Sequence, residues 1–168
     1  NVFVYLKKGL SAPAEATLER HYTMPTALLT QTNCLFEPYV SGLTTSQNLR
    51  IRNDDPVLHN VHAMPQNNAE FNFAQPVQGQ SNTKRFTNRE LFVRLKCDVH
   101  PWMFAYIGVL DHPYFAVTDS GGNFTITNVP PGDYTLEARH LKAGSIEQTI
   151  KVVGSSAQRV DFSMEVPE

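Results

Sequence analysis

The chain has 168 residues, enough for one large or two small domains and for a genuine hydrophobic core. With 41% hydrophobic and 18% charged residues it has a globular composition, which excludes a disordered chain. A net charge of −2 without a Lys/Arg run removes the electrostatic basis for binding nucleic acid, and no apolar run approaches the ~20 residues of a membrane-spanning helix.

The chain starts at Asn1 with neither an initiator Met nor a signal peptide, so an upstream segment is expected to have been removed. Residues 2–6 read as a strand. Residues 12–21 are the only helix-like stretch, with Ala14, Ala16 and Leu18 favouring a turn or two and Pro13 and Pro25 limiting it. Apolar or alternating runs at 49–52, 91–95, 106–110, 123–127, 134–138, 149–153 and 159–164 read as further strands. Turn-forming clusters at 53–56, 119–122, 130–133 and 154–156 separate them, and the Asn/Gln-rich stretch 65–83 reads as a long loop. This pattern predicts an all-β protein built as a sandwich or barrel.

The chain changes texture along its length. Residues 31–111 hold a His/Cys/Met cluster, whereas the part from 115 onward is a compact meander. There Val117-Thr118-Asp119-Ser120-Gly121-Gly122-Asn123-Phe124 and Pro130-Pro131-Gly132-Asp133-Tyr134 give strand, turn, strand, turn, strand. This segment resembles the carboxypeptidase regulatory-like modules, small transthyretin-like β-sandwiches appended to secreted and periplasmic proteins. Such a module has earlier strands before its Asp/Gly turn, so two arrangements stay open. Either residues 1–8 complete the sandwich and the metal-rich part is inserted, or two domains follow in tandem. The expected boundaries are 9–112 and 113–168.

The chemistry concentrates in Cys97-Asp98-Val99-His100-Pro101-Trp102-Met103, a C-x2-H-x2-M loop following a predicted strand. Thiolate suits Cu(I), imidazole serves both copper oxidation states, and a long thioether bond leaves the site neither tetrahedral nor square-planar. Two His, one Cys and an axial Met form the diagnostic set for an electron-transfer copper site. The loop cannot enclose an ion alone, so a second His must come from elsewhere. His59, in Asp55-Pro56-Val57-Leu58-His59-Asn60, is the candidate.

Together the two segments resemble cupredoxins of the amicyanin and plastocyanin type, over about residues 45–110. That family has the same short loop with Pro after the His and an upstream His followed by Asn. The resemblance implies a Greek-key β-sandwich with one type 1 copper ion, cycling between Cu(I) and Cu(II), on His59, Cys97, His100 and Met103. It further implies that Asn60 ties the upstream segment to the Cys loop, and that Pro101, Trp102 and Phe104 form an apolar electron port around His100. A redox partner protein and a periplasmic or otherwise extracytoplasmic location follow from it, with no catalytic residues. More widely, the chain resembles bacterial proteins joining a cupredoxin core to a regulatory-like sandwich, in which Leu110-Asp111-His112-Pro113-Tyr114-Phe115 follows the copper loop. Tyr39, after Pro38, departs from the His of that pattern and is assigned no metal role.

Zinc is disfavoured because Met is a poor ligand for it and only one Cys is near. A binuclear copper centre needs two thiolates in the loop, C-x-x-C-H haem attachment is absent, and no third group supports a Cys–His nucleophile. A Cys34–Cys97 disulfide would exclude the copper site, and the complete ligand set favours copper. Cys34 is then a buried thiol or the partner of a missing cysteine. On a strand, His62 points away from His59 and reads as a surface or hydrogen-bonded residue. His21, His112 and His140 read as structural or exposed rather than ligating. A copper-delivery module, or a structural sandwich with a vestigial site, is the alternative function.

Overall fold

The computed structural model describes residues 1–10, 24–45, 47–154 and 156–167; the predicted helix-like stretch 12–21, with His21, lies outside them. Every regular element among the described residues is a strand, and none of them forms a helix long and apolar enough to cross a membrane. Strand β1 (Phe3–Lys8) opens the chain. It is followed by β2 (Ala27–Thr32), β3 (Leu35–Glu37), β4 (Val40–Thr44), β5 (Leu49–Asn53), β6 (His59–Met64), β7 (Phe71–Gln75), β8 (Ser81–Lys84), β9 (Glu90–Lys96) and β10 (Phe104–Leu110). Strands β11 (Phe115–Val117), β12 (Gly132–His140) and β13 (Gly144–Val152) complete the set. The chain divides into two compact units, Ala16–Pro113 and a discontinuous one of Asn1–Glu15 with Tyr114–Glu168.

The first unit is a β-sandwich. One sheet has the order β3-β2-β5-β8 and the other β4-β10-β9-β6-β7, with β2 parallel to β5 and β4 parallel to β10. Strand alternation sorts side chains between the two faces of each sheet. Leu29, Leu49 and Ile51 from one sheet meet Val61, Ala63, Val93, Leu95, Ala105 and Ile107 from the other in a single core. Phe86 is buried in that core and stacks on Phe71 at 5.8 Å.

The polar stretch 65–83 is no loop. It contains β7, where Phe71 and Phe73 alternate inward against the core while Asn72 and Ala74 face out, and β8, which pairs antiparallel with β5. Gln75 is fully buried and amide-bonded: it donates to Ile51 O at 3.0 Å and Asn82 Oδ1 at 2.9 Å and accepts from Gln31. A buried amide with its partners in place is tolerated where an unpaired one is costly. Composition alone does not reveal such a pairing.

In the second unit β1 lies inside a sheet of order β11-β1-β12-β13, pairing antiparallel with both neighbours. Its core joins Val4, Leu6, Tyr114, Tyr134, Leu136 and Ala138. Asp119 caps the Asp/Gly turn, accepting from the N–H groups of Gly121 (2.9 Å) and Asn123 (2.8 Å). The segments 123–127 and 159–164, read as strands from their alternation, carry no ladder. They lie along a groove of about 830 Å³ and still turn Phe124, Ile126, Val160, Phe162 and Met164 toward the core. Alternation reports which side chains face inward; a strand also needs a backbone partner within hydrogen-bond reach.

Gly9 ends β1 with φ 103°, and a Cβ there would collide with the backbone oxygen of Asp133. Gly9→Ala is therefore expected to destabilise this unit by at least ~1–2 kcal/mol, the cost of a left-handed backbone for an L-residue. A denaturant melt showing no loss of stability would contradict this.

Candidate metal centre

The alternation that builds β9 sends Val93 and Leu95 into the core, and Cys97 continues that inward series just past the strand's end. The chain then turns out through residues 98–102 and re-enters β10 after Met103, which is fully buried in the same core. Two backbone bonds close the loop: Cys97 N–H to Met103 O at 3.0 Å and Met103 N–H to His100 O at 2.9 Å. On β6, His59, Val61 and Ala63 point inward, while His62 and Met64 take the other face.

These elements bring three donor atoms together. His59 Nδ1 lies 3.0 Å from His100 Nδ1, and Cys97 Sγ lies 3.7 Å from His100 Nδ1. His59, Cys97 and His100 form a group whose ligand atoms all fall within 4.8 Å of one another. Bonds of about 2.0–2.3 Å from imidazole and thiolate to a first-row ion, set at trigonal angles, need donors about 3.5–3.8 Å apart. The sulfur–nitrogen separation meets that requirement, and the nitrogen–nitrogen one is a few tenths of an ångström short. His59 and Cys97 are 0% and 1% exposed, so water has little access to the donors. Met103 sits at the loop's foot, packed in the cluster that contains Cys97.

Asn60 follows His59 and points to the other face. Its backbone N–H donates to Cys97 Sγ at 3.5 Å, its Oδ1 accepts from Asp98 N–H, and its Nδ2 donates to Asn72 Oδ1 at 2.7 Å and Asp98 Oδ2 at 3.2 Å. It thereby joins the His59 segment to the Cys97 segment. Asp98 is held well below the usual carboxylate range by the Lys96 ammonium, against desolvation, with further bonds from Asn60, His62 and Asn72. His62 sits between two carboxylates, Nδ1 3.0 Å from Asp98 Oδ2 and Nε2 2.7 Å from Glu70 Oε1. It shares no donor position with His59.

Of the three port residues, Pro101 is exposed and Trp102 is 57% exposed, its ring 5.3 Å from that of His100. Phe104 takes different neighbours: Tyr39 at 5.7 Å, Tyr106 at 6.0 Å and the Arg94 guanidinium at 5.4 Å. Cys34 and Cys97 are both free thiols.

Sequence reasoning missed Asp55. Its Oδ2 lies 2.8 Å from His59 Nε2, on the ring edge away from His100. Burial pushes its pKa up, but the N–H groups of Cys34 and Asn33 and the bond to His59 outweigh that and keep it below the ordinary carboxylate value. The only available signal was its place four residues before a candidate ligand His, since ligating histidines commonly give their second nitrogen to a carboxylate.

The carboxypeptidase regulatory-like domain family model matches residues 104–165, a stretch that begins within the first unit at β10. No curated protein matches the sequence. Among solved structures, the Cu-containing nitrite reductase (NirK) from Thermus scotoductus SA-01 aligns at 18% identity and TM-score 0.47, over 51% of this chain and 22% of its own. The novel purple cupredoxin from Nitrosopumilus maritimus aligns at 19% identity and TM-score 0.43, over 49% of this chain and 98% of its own. A reduced mutant amicyanin gives 19% identity and TM-score 0.44, over 50% and 81%. The chain thus spans about a fifth of the reductase. It is similar to cupredoxins in one part and to the carboxypeptidase regulatory-like domain in the other.

Proposed function

We propose that this chain is a type 1 copper protein that holds one copper ion on His59, Cys97, His100 and Met103 and passes single electrons between partner proteins outside the cytoplasm. The observation that carries this reading is the convergence of two imidazole Nδ1 atoms and one buried thiol sulfur beside a buried Met, on two segments fixed by a β-sandwich. Bound there, copper supplies a one-electron couple between Cu(I) and Cu(II).

The chain's own residues make that couple usable. Cys97 and Met103 are fixed by the core, and the Cys97–Met103 backbone bond sets the loop's width. Donors held this way need little rearrangement when the charge at the centre changes. Asn60 N–H directed at Cys97 Sγ stabilises a thiolate and withdraws charge from it. His100 is half-buried beside exposed Pro101 and Trp102, which gives a short route from donor set to surface. The chain is read as an electron carrier, with no catalytic residue assigned. The copper domain corresponds to residues 9–112, and 113–168 with strand 1–8 to a regulatory-like module; the pairing of β1 with β11 and β12 supports the latter.

Copper content and film voltammetry test this reading: one copper per chain and a reversible one-electron wave are expected. Rapid loss of copper to a weak chelator, with no reversible wave, would indicate delivery instead. The Asn60 bridge adds a prediction. Asn60→Ala is expected to weaken copper binding about 10–100-fold, the usual effect of removing a group that orients ligands, while the visible band persists. Unchanged affinity in chelator competition would show the bridge to be dispensable.

A further inference from the structure

We propose that the backbone of Cys34 braces both histidines of the centre: its N–H fixes Asp55, which orients His59, and its C=O fixes Trp102, which backs His100. The inference rests on the copper reading for its purpose, but its geometry is independent of it.

Asn33 and Cys34 are consecutive left-handed residues, at φ 54° and 55°. They form the two-residue turn between β2 and β3, where Thr32 pairs with Leu35, and there both N–H groups face one anion. That anion is the buried Asp55 carboxylate, which accepts Asn33 N–H at 2.8 Å on Oδ1 and Cys34 N–H at 2.9 Å on Oδ2. Both Asp55 oxygens already accept a backbone N–H, which assigns the ring proton of the 2.8 Å contact to His59 Nε2. In the neutral imidazole the lone pair is then at Nδ1, the atom facing His100 and Cys97. On the other side of the same residue, the Trp102 indole N–H donates to Cys34 O at 3.1 Å, which holds an exposed ring against His100. The two arms link residues 21 and 68 positions apart through one peptide segment.

The Cys34 thiol offers a rival account. Its sulfur, an Asp55 oxygen and a His59 nitrogen lie within 4.8 Å of one another and could hold a metal of their own. Asp55 and His59 Nε2 already satisfy each other, so the brace assigns the work to the Cys34 backbone and none to its thiol.

The test uses nitrogen NMR of the histidine rings in the metal-free full chain, together with copper affinity by chelator competition. In wild type His59 is expected as the Nε2–H tautomer, and Asp55→Asn is expected to lose that preference and bind copper about 10–100-fold more weakly. Cys34→Ala, whose residue bears the same left-handed penalty as Cys, should change neither readout. Trp102→Phe keeps an aromatic ring but loses the donor, and should release copper about tenfold faster. A Nδ1–H tautomer in wild type overturns the brace, even if Asp55→Asn fails to fold. Loss of affinity in Cys34→Ala equal to that in Asp55→Asn also overturns it, in favour of the thiol. If no variant or wild type binds copper, the functional reading fails while the tautomer still decides the His59 arm.

Discussion

Copper-loaded Cys97→Ser is expected to lose the intense visible band of wild type and to bind copper more than ~100-fold more weakly, beyond the 10–100-fold typical of groups behind the ligands. The reason is chemical rather than steric. A thiolate is the soft donor that Cu(I) requires, and its charge transfer to Cu(II) gives the colour. A serine hydroxyl does not ionise in a site as dry as this one, where Cys97 is 1% exposed. Ser is close to Cys in size, so the core around Val93, Leu95 and Met103 should survive and the apo-protein should melt near the wild-type temperature. Optical titration with Cu(II) checks both halves. A band of undiminished intensity would remove Cys97 from the centre.

Met103 offers a second large effect, and it separates packing from ligation. The side chain is fully buried in the sandwich core, so Met103→Ala should cost about 2–5 kcal/mol from lost contacts and a cavity. Met103→Leu conserves volume and should cost less than ~1.5 kcal/mol. Both remove the thioether, which stabilises Cu(II) more than an empty axial position does. The reduction potential should therefore rise in both variants, by on the order of one 59 mV decade or more for a one-electron couple. Denaturant melts of the apo-proteins and voltammetry of the loaded ones check the two predictions separately. A potential unmoved in Met103→Leu would make Met103 a core residue only.

The features legible in the sequence were those encoded locally. The strands around Leu49–Asn53, Glu90–Lys96 and Phe104–Leu110 carry clear alternation, and the Cys97–Met103 loop marks its candidate donors by residue type and spacing. What stayed hidden depends on long-range pairing. Strand β7 takes its inward residues, Phe71 and Phe73, from an otherwise loop-like composition, and the all-polar β8 owes its place to pairing with β5. The role of Asp55 requires two N–H groups supplied from 22 and 21 positions away by Asn33 and Cys34, and of these only Asn33 is a residue type that favours the left-handed region. Conversely, 123–127 and 159–164 have strand-like alternation but no partner at ladder distance, so local pattern overstated the secondary structure. Local periodicity predicts burial well; ladder and hydrogen-bond partners come from the rest of the chain.

The electron paramagnetic resonance spectrum of the Cu(II)-loaded full chain, recorded with its visible spectrum, decides whether copper sits on the four proposed ligands. A centre on His59, Cys97, His100 and Met103 should give narrow copper hyperfine splitting together with an intense visible band. A wide-splitting tetragonal signal with only weak visible absorption would contradict it.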